Sequence, residues 1–472
     1  MVRYFILSLL LLGLLLDNGS LANIVPETSI LVPESSVIDG VADIYLPIVM
    51  RPRPQSIFGA ETYDFSDQNL NYADAANIYW IRSYFFSWAQ LEPQRGVYQW
   101  DLVKTNALNK LAHNSHKVIA TIKFTPSWAQ KLPGVSCGPI ADHAWVDFYN
   151  FVYNLVLRYS APPYNIQYWE FGNEPDVDPS LVAPDEQYGC WGNKNDPYYG
   201  GRYYAEMLKR AYPAVKAASP TSQVVIGGLL LDCDPTNPPP HKDCSPGKFF
   251  EGILRNQGAN YFDIVAFHSY LYEVDNKILD EDNPSWSARG GQIVGKANFL
   301  RSVMQRFGVN KPLFLSELAM KWHCDGGPTC PPPTGQFLDL QADVVVSSYA
   351  RSWGLGILGE TWFTLEESGW ASSGLFQGST PKPAYHALVF MSSELNGAAL
   401  GPQLTQFAGL RGYEFRLPSK NVWILWAPDG ATGVLVQIPA GVTKIFDKFG
   451  NEITPIPGQL TISHPVYLEF SH

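Results

Sequence analysis

The chain has 472 residues, of which 46% are hydrophobic, 14% aromatic and only 16% charged. That apolar mass excludes a disordered chain, which lacks the burial to offset its entropy, and the composition excludes a coiled coil rich in Ala, Glu, Lys and Leu. A formal net charge of −11, from 33 basic and 44 acidic residues, opposes a phosphate backbone or an anionic membrane surface, so no nucleic acid partner is expected.

Met1 to Ala22 carries Arg3, an apolar run from Tyr4 to Leu16, and small residues at Ser20 and Ala22. The run is short against the roughly 20 residues of a bilayer span, and a Ser-x-Ala ending suits signal peptidase. A signal peptide at 1–22 and a secreted or cell-surface protein are therefore expected, with an uncleaved anchor as the alternative. Asn23 to Arg53 mixes Pro, Ser and acidic residues without helical period, as an extracellular linker does. No later segment is long and apolar enough to span a membrane.

From Pro54 onward, short apolar runs recur at Ser56–Ala60, Tyr79–Ser83, Val118–Lys123, Ile166–Phe171, Val224–Leu230, Phe262–His268, Leu313–Leu318 and Ile357–Thr361. Between them lie stretches such as Tyr203–Ala218 and Gly295–Phe307, whose apolar residues fall at helical spacing. Eight buried strands alternating with helices predict an α/β fold, a (β/α)8 TIM barrel over 54–396, with a doubly wound sheet as the alternative. After Gly397 the helical pattern stops. Six short strand-like runs from Tyr413 to Phe470, separated by turn signals such as Pro428-Asp429-Gly430, predict a small C-terminal antiparallel β-sandwich at 397–472. Its length is thin for independent stability, so it is expected to pack on the barrel.

Six cysteines in an exported chain point to disulfides. Sequence distance favours Cys233 with Cys244 and Cys324 with Cys330, leaving Cys137 with Cys190. A zinc site using His241 or His323 beside these cysteines is the alternative, but no C-x2-C pair or HEXXH helix accompanies them. No metal or cofactor is expected. Gly354 to Gly359 matches GxGxxG, yet it leads from a helix into a strand, the reverse of a dinucleotide site. Neither a G-x-S-x-G elbow nor a P-loop occurs.

Catalytic groups of a parallel barrel sit where strands end and loops begin. The fourth strand ends Trp169-Glu170-Phe171-Gly172-Asn173-Glu174-Pro175, and the seventh ends Phe314-Leu315-Ser316-Glu317-Leu318. Two carboxylates across one mouth suit glycosidic cleavage: one protonates the leaving oxygen, and the other attacks the sugar carbon or activates water. Glu170, four residues before Glu174, lies deeper in its strand and is read as structural.

These motifs resemble those of glycoside hydrolase clan A, closest to family 39 and its relatives. The resemblance covers roughly 55 to 470 and includes Trp80-Ile81-Arg82, Glu92-Pro93, His268-Ser269-Tyr270 and Trp362-Phe363. It implies a retaining barrel enzyme acting on β-linked carbohydrate, with Glu174 as acid/base, Glu317 as nucleophile and Asn173 as donor to the sugar 2-hydroxyl. It further implies that Arg82 and Tyr270 hold the nucleophile, that His268 orients nearby groups, and that Trp362 is the platform beneath the sugar. Loop tryptophans at 88, 128, 191, 286, 322 and 370 are candidate further platforms. The expected protein is a monomeric, exported glycosidase, with endo action favoured by the spread of tryptophans. An exo-acting β-xylosidase, a transglycosylase and a catalytically silent carbohydrate-binding protein are the alternatives.

Overall fold

Eight parallel strands form a closed barrel: β1 (Phe58–Glu61), β2 (Trp80–Ser87), β3 (Lys117–Lys123), β4 (Tyr168–Phe171), β5 (Gln223–Leu229), β6 (Ile264–Val274), β7 (Leu313–Lys321) and β8 (Glu360–Trp362). Each pairs with its sequence neighbour, and β8 returns to β1 with Thr361 opposite Gly59. The computed structural model describes residues 55–324, 330–367, 369–430, 432–455 and 457–471. The signal expected at 1–22 and the linker expected at 23–53 lie outside the described residues. Among the described residues, no helix is long and apolar enough to cross a membrane.

The strands read as continuous apolar runs because helices cover the outside while the barrel's own interior covers the other face. Helix Gly201–Ala218 buries Tyr204, Leu208, Ala211 and Val215, one stripe at helical spacing. The Tyr204 hydroxyl donates to Phe171 O at 2.6 Å and accepts from Gly227 N at 2.9 Å, joining β4 to β5.

Inside the barrel, the two-residue period of a strand sorts side chains into layers. Trp80, Ile119, Val225, Ala266 and Phe314 make an apolar floor. Two residues further along their strands, β2, β3 and β6 present Arg82, Thr121 and His268, and β4 presents Glu170; all four are fully buried. The next layer is therefore polar, directly above the floor.

On β7 the register slips. Phe314 pairs with Ala266, but Glu317 pairs with His268, three residues on β7 against two on β6. This one-residue bulge in mid-strand re-aims a side chain: it brings Glu317 into the inward phase beside His268.

After helix Pro383–Glu394 the described chain is all antiparallel strand. Strands β9 (Ala399–Gln403), β10 (Arg411–Arg416), β11 (Lys420–Trp426), β13 (Val442–Asp447) and β15 (Val466–Ser471) form one sheet in the order β9-β10-β11-β15-β13. Strands β12 (Val434–Gln437) and β14 (Gln459–Ile462) pair separately, and Leu425, Ile445, Ile462 and Leu468 share a core. Helices Gly335–Gly354 and Pro383–Glu394 both touch this region, the latter through Phe390, whose ring lies 4.9 Å from that of Tyr467. The Trp353 and Phe415 rings lie 5.2 Å apart, and Lys448 Nζ meets Asp343 Oδ1 at 2.6 Å.

The cysteines pair as Cys137–Cys190, Cys233–Cys244 and Cys324–Cys330, and no free cysteine remains. The first bridge ties the loop after β3 to the loop after β4; the others clip the loops after β5 and β7. All three therefore brace the loops that form the barrel mouth.

Candidate active site

Glu174 follows β4 through Gly172, whose φ of 82° needs a residue without Cβ. Glu174 itself sits at φ 47°, a conformation uncommon for a non-glycine residue and a mark of local strain. Its backbone N–H donates to Gly228 O at 2.9 Å, which locks the loop against β5. Glu174 is 7% exposed and Glu317 3%. One carboxylate oxygen of each lies within 4.8 Å of the other.

Arg82 organises the floor beneath them. Its Nε donates to Glu170 at 2.7 Å, Nη1 to both Glu61 and Glu317 at 2.5 Å, and Nη2 to Asn173 Oδ1 at 2.8 Å. Glu317 also accepts from the Tyr270 hydroxyl and, at 3.2 Å, from Tyr84. Burial and the Glu317 charge push both tyrosines well above their ordinary pKa, so they remain donors. His268 Nδ1 lies 2.9 Å from Glu174 and 3.4 Å from Glu317. Burial lowers His268 to about 4, leaving its imidazole neutral near pH 7. Burial, reinforced by the Glu317 charge, raises Glu174 above the usual carboxylate range despite the His268 hydrogen bond.

The site thus holds two neighbouring carboxyls in different surroundings. Glu317 faces a guanidinium and two phenols; Glu174 faces a neutral imidazole. Such a division favours the protonated form at Glu174, while Glu317 is met by cationic and phenolic donors. Glu174, His268 and Glu317 could each offer one ligand atom to a cation, but the Glu317 oxygens already serve Arg82, Tyr84 and Tyr270, which a cation would have to displace.

Above the pair opens a cavity of about 850 Å³, walled by Tyr63, Tyr84, Tyr188, Tyr270, Phe363 and Trp370 among others. Of the expected residues, Glu174, Glu317, Asn173, Arg82, His268 and Tyr270 meet in one network. Trp362 does not. It is fully buried, its Nε1 donates to Ser373 O at 2.9 Å, and it offers no face to a ligand. Trp370 and Phe363, rings 5.5 Å apart, form the aromatic wall near that strand end. Of the loop tryptophans, Trp88, Trp286 and Trp322 are buried packing residues and Trp370 reaches the cavity.

Several participants went unread in the sequence. Glu61 ends β1 one residue past the apolar run, and burial raises it to about 8. Tyr84 shares the inward phase of Arg82 on β2. Lys123 ends β3, its Nζ 3.2 Å over the Tyr84 ring and 2.7 Å from Gln187 Oε1, fastening the loop after β4. The strand-end rule that found Glu174 also covers Glu61 and Lys123.

No protein-family model matches the chain, and no curated protein matches it by sequence. Solved structures do match in fold. A family 39 glycoside hydrolase from the gut symbiont Bacteroides cellulosilyticus WH2 aligns over 89% of this chain and 81% of its own, at 17% identity and a TM-score of 0.66. A family 30 subfamily 8 xylanase from Clostridium acetobutylicum aligns over 88% of this chain and 96% of its own, at 13% identity and a TM-score of 0.56. A family 39 β-xylosidase from Caulobacter crescentus aligns over 89% and 98%, at 14% identity and a TM-score of 0.54.

Proposed function

We propose that this chain is an exported retaining glycoside hydrolase that cleaves β-O-glycosidic bonds within an oligo- or polysaccharide. The observation that carries the reading is the approach of Glu174 and Glu317, with oxygens within 4.8 Å. So close an approach of one oxygen from each supports direct attack on the sugar, for which the carboxyl groups stand about 5–5.5 Å apart, over a water-activating pair at about 6.5–9.5 Å.

In the first step Glu174 gives its proton to the glycosidic oxygen while Glu317 attacks the anomeric carbon. The carbon–oxygen bond breaks and a glycosyl ester forms on Glu317. In the second, the Glu174 carboxylate takes a proton from water, the water oxygen attacks the same carbon, and Glu317 leaves. The neutral His268 imidazole can pair with Glu174 in either protonation state, while Arg82 and Tyr270 donate to Glu317 and hold it aimed.

The cavity volume is near the top of the range for small-ligand sites and favours cleavage within a chain. Three disulfides and the apolar segment at 4–16 support export. In this reading residues 54–396 are the catalytic barrel and 397–472 the sandwich attached to it. The test is hydrolysis of a panel of aryl β-glycosides and polysaccharides. Glu174→Ala should lose about 10²–10⁴-fold in rate on substrates with poor leaving groups, the span of general acid catalysis. Glu317→Ala should lose more, because no covalent intermediate can form. Near-normal turnover by either variant refutes the assignment, and release of monosaccharide alone replaces endo with exo action.

A further inference from the structure

We propose that the cavity takes an acidic glycan, with Lys296 and Lys321 as counter-charges to carboxylate or sulfate groups on its sugar rings. The proposal rests on the glycosidase reading of the same cavity and names its substrate class.

Lys296 lines the cavity yet is 3% exposed. Its Nζ donates to Leu230 O at 2.7 Å and to His268 O at 2.9 Å. An ammonium carries three donors, and two of them are used by these carbonyls. Among the described residues no carboxylate lies within 4.0 Å of this nitrogen. Burial brings Lys296 down to about 8, a desolvation cost that an anion in the cavity would offset.

Lys321 ends β7 and also lines the cavity. Its Nζ stands 4.1 Å from the Trp370 ring centroid, 5.2 Å from that of Tyr272 and 3.4 Å from the Tyr272 hydroxyl. It too has no carboxylate within ion-pair distance among the described residues. A cation resting on rings presents an apolar sugar face and a positive charge together.

The other charges on the wall are differently disposed. Lys242 is paired with Asp232 at 2.9 Å, Glu317 with Arg82 at 2.5 Å, and Glu174 lies 2.9 Å from His268, while Glu186 stands in the loop after β4. The two lysines contact residues 268 and 272 of β6, positions roughly 13 Å apart along the strand, while Asp232, Asp176 and Glu174 act on Lys296 from beyond ion-pair distance. The chain's net negative charge acts at long range and is screened beyond about 8 Å at physiological ionic strength, so a bound anion meets chiefly the groups that line the cavity.

The experiment measures calorimetric binding to Glu174→Gln protein, which removes turnover. The probes are β-linked oligosaccharides in matched pairs: uronate-bearing with carboxyl-reduced, and sulfated with desulfated. The acidic member of at least one pair should bind roughly tenfold more tightly, the scale of one good charge contact, and weaken with salt. Which pair responds identifies the anion. Lys321→Met and Lys296→Met should each erase most of that difference while leaving neutral-member binding within about twofold. Lys321 is half-buried at a strand end, so its variant remains informative if Lys296→Met misfolds. Binding to neutral members only, binding to none, or equal loss for both members of a pair overturns the proposal. Cleavage is scored separately: a chain that binds acidic glycans without hydrolysing them refutes the glycosidase reading alone, and one that cleaves only neutral glycans refutes this inference alone.

Discussion

A single guanidinium, Arg82, meets three buried carboxylates, Glu61, Glu170 and Glu317. Removing it leaves those acids uncompensated, a loss of about 3–5 kcal/mol for a broken buried pair. Arg82→Met should therefore lower the melting temperature as well as abolish turnover, and a variant with wild-type stability would show that the acids are neutralised otherwise. Tyr270→Phe removes one donor to the Glu317 carboxylate, worth about 1.5–3 kcal/mol. A roughly 10- to 100-fold drop in kcat is expected, with KM far less changed. In the proposed mechanism Glu174 must carry a proton to act, and burial raises its pKa. Activity should fall on the alkaline side as pH rises through that raised value. An aryl substrate whose leaving group needs no protonation should lose this limb in a kcat/KM profile; an unchanged limb would point to another acid. The carboxylate pair was legible in the sequence because both residues follow apolar strands. Glu61 was not, since the apolar run stops at Ala60, and Trp362 misled because a tryptophan at a strand end looks the same whether it faces a ligand or the core.

At the scale of elements, all eight barrel strands were legible because strands buried on both faces leave continuous apolar runs. Their ends were less so. β2 runs on to Ser87 and β6 to Val274, beyond the expected Ser83 and His268, because Tyr84, Tyr270 and Glu273 interrupt the apolar pattern where the strands reach the mouth. β9 went unpredicted: Ala-Leu-Gly-Pro-Gln is an exposed edge strand containing Gly and Pro. The β7 bulge has no sequence signal of its own, yet it sets Glu317 in phase. Packing around it is tight. A Cβ on Gly228 of β5 would fall on His268 Nε2 and within 2.6 Å of Ser316 Oγ. Gly228→Ala should cost about 1–3 kcal/mol through overpacking and displace His268 from Glu174. Thermal melts and kcat should both drop; wild-type values in both would mean that the β5–β6 wall yields without cost.

For the whole molecule, the join between helix Gly335–Gly354 and the C-terminal strands is ionic as well as aromatic. Asp343 meets Lys448 at 2.6 Å and His464 Nδ1 at 2.7 Å. The Asp343 hydrogen bond raises His464 above its ordinary 6.5. A raised histidine stabilises fully below its unfolded value and loses that contribution as pH climbs through its folded value. The melting-temperature gap between wild type and His464→Gln should therefore be widest below about pH 6.5 and narrow above it; a constant gap would show that the imidazole acts through packing alone. The barrel's closing seam has another consequence. β1 pairs with β8 across roughly 300 residues, with Tyr349 donating to Gly59 O over the same distance. At about 5–20 residues per second of synthesis, the first strand waits some 15–60 seconds for its last partner. Throughout that interval the nascent chain has an open sheet edge, so its first strands stay without their closing partner and exposed to pairing with other chains.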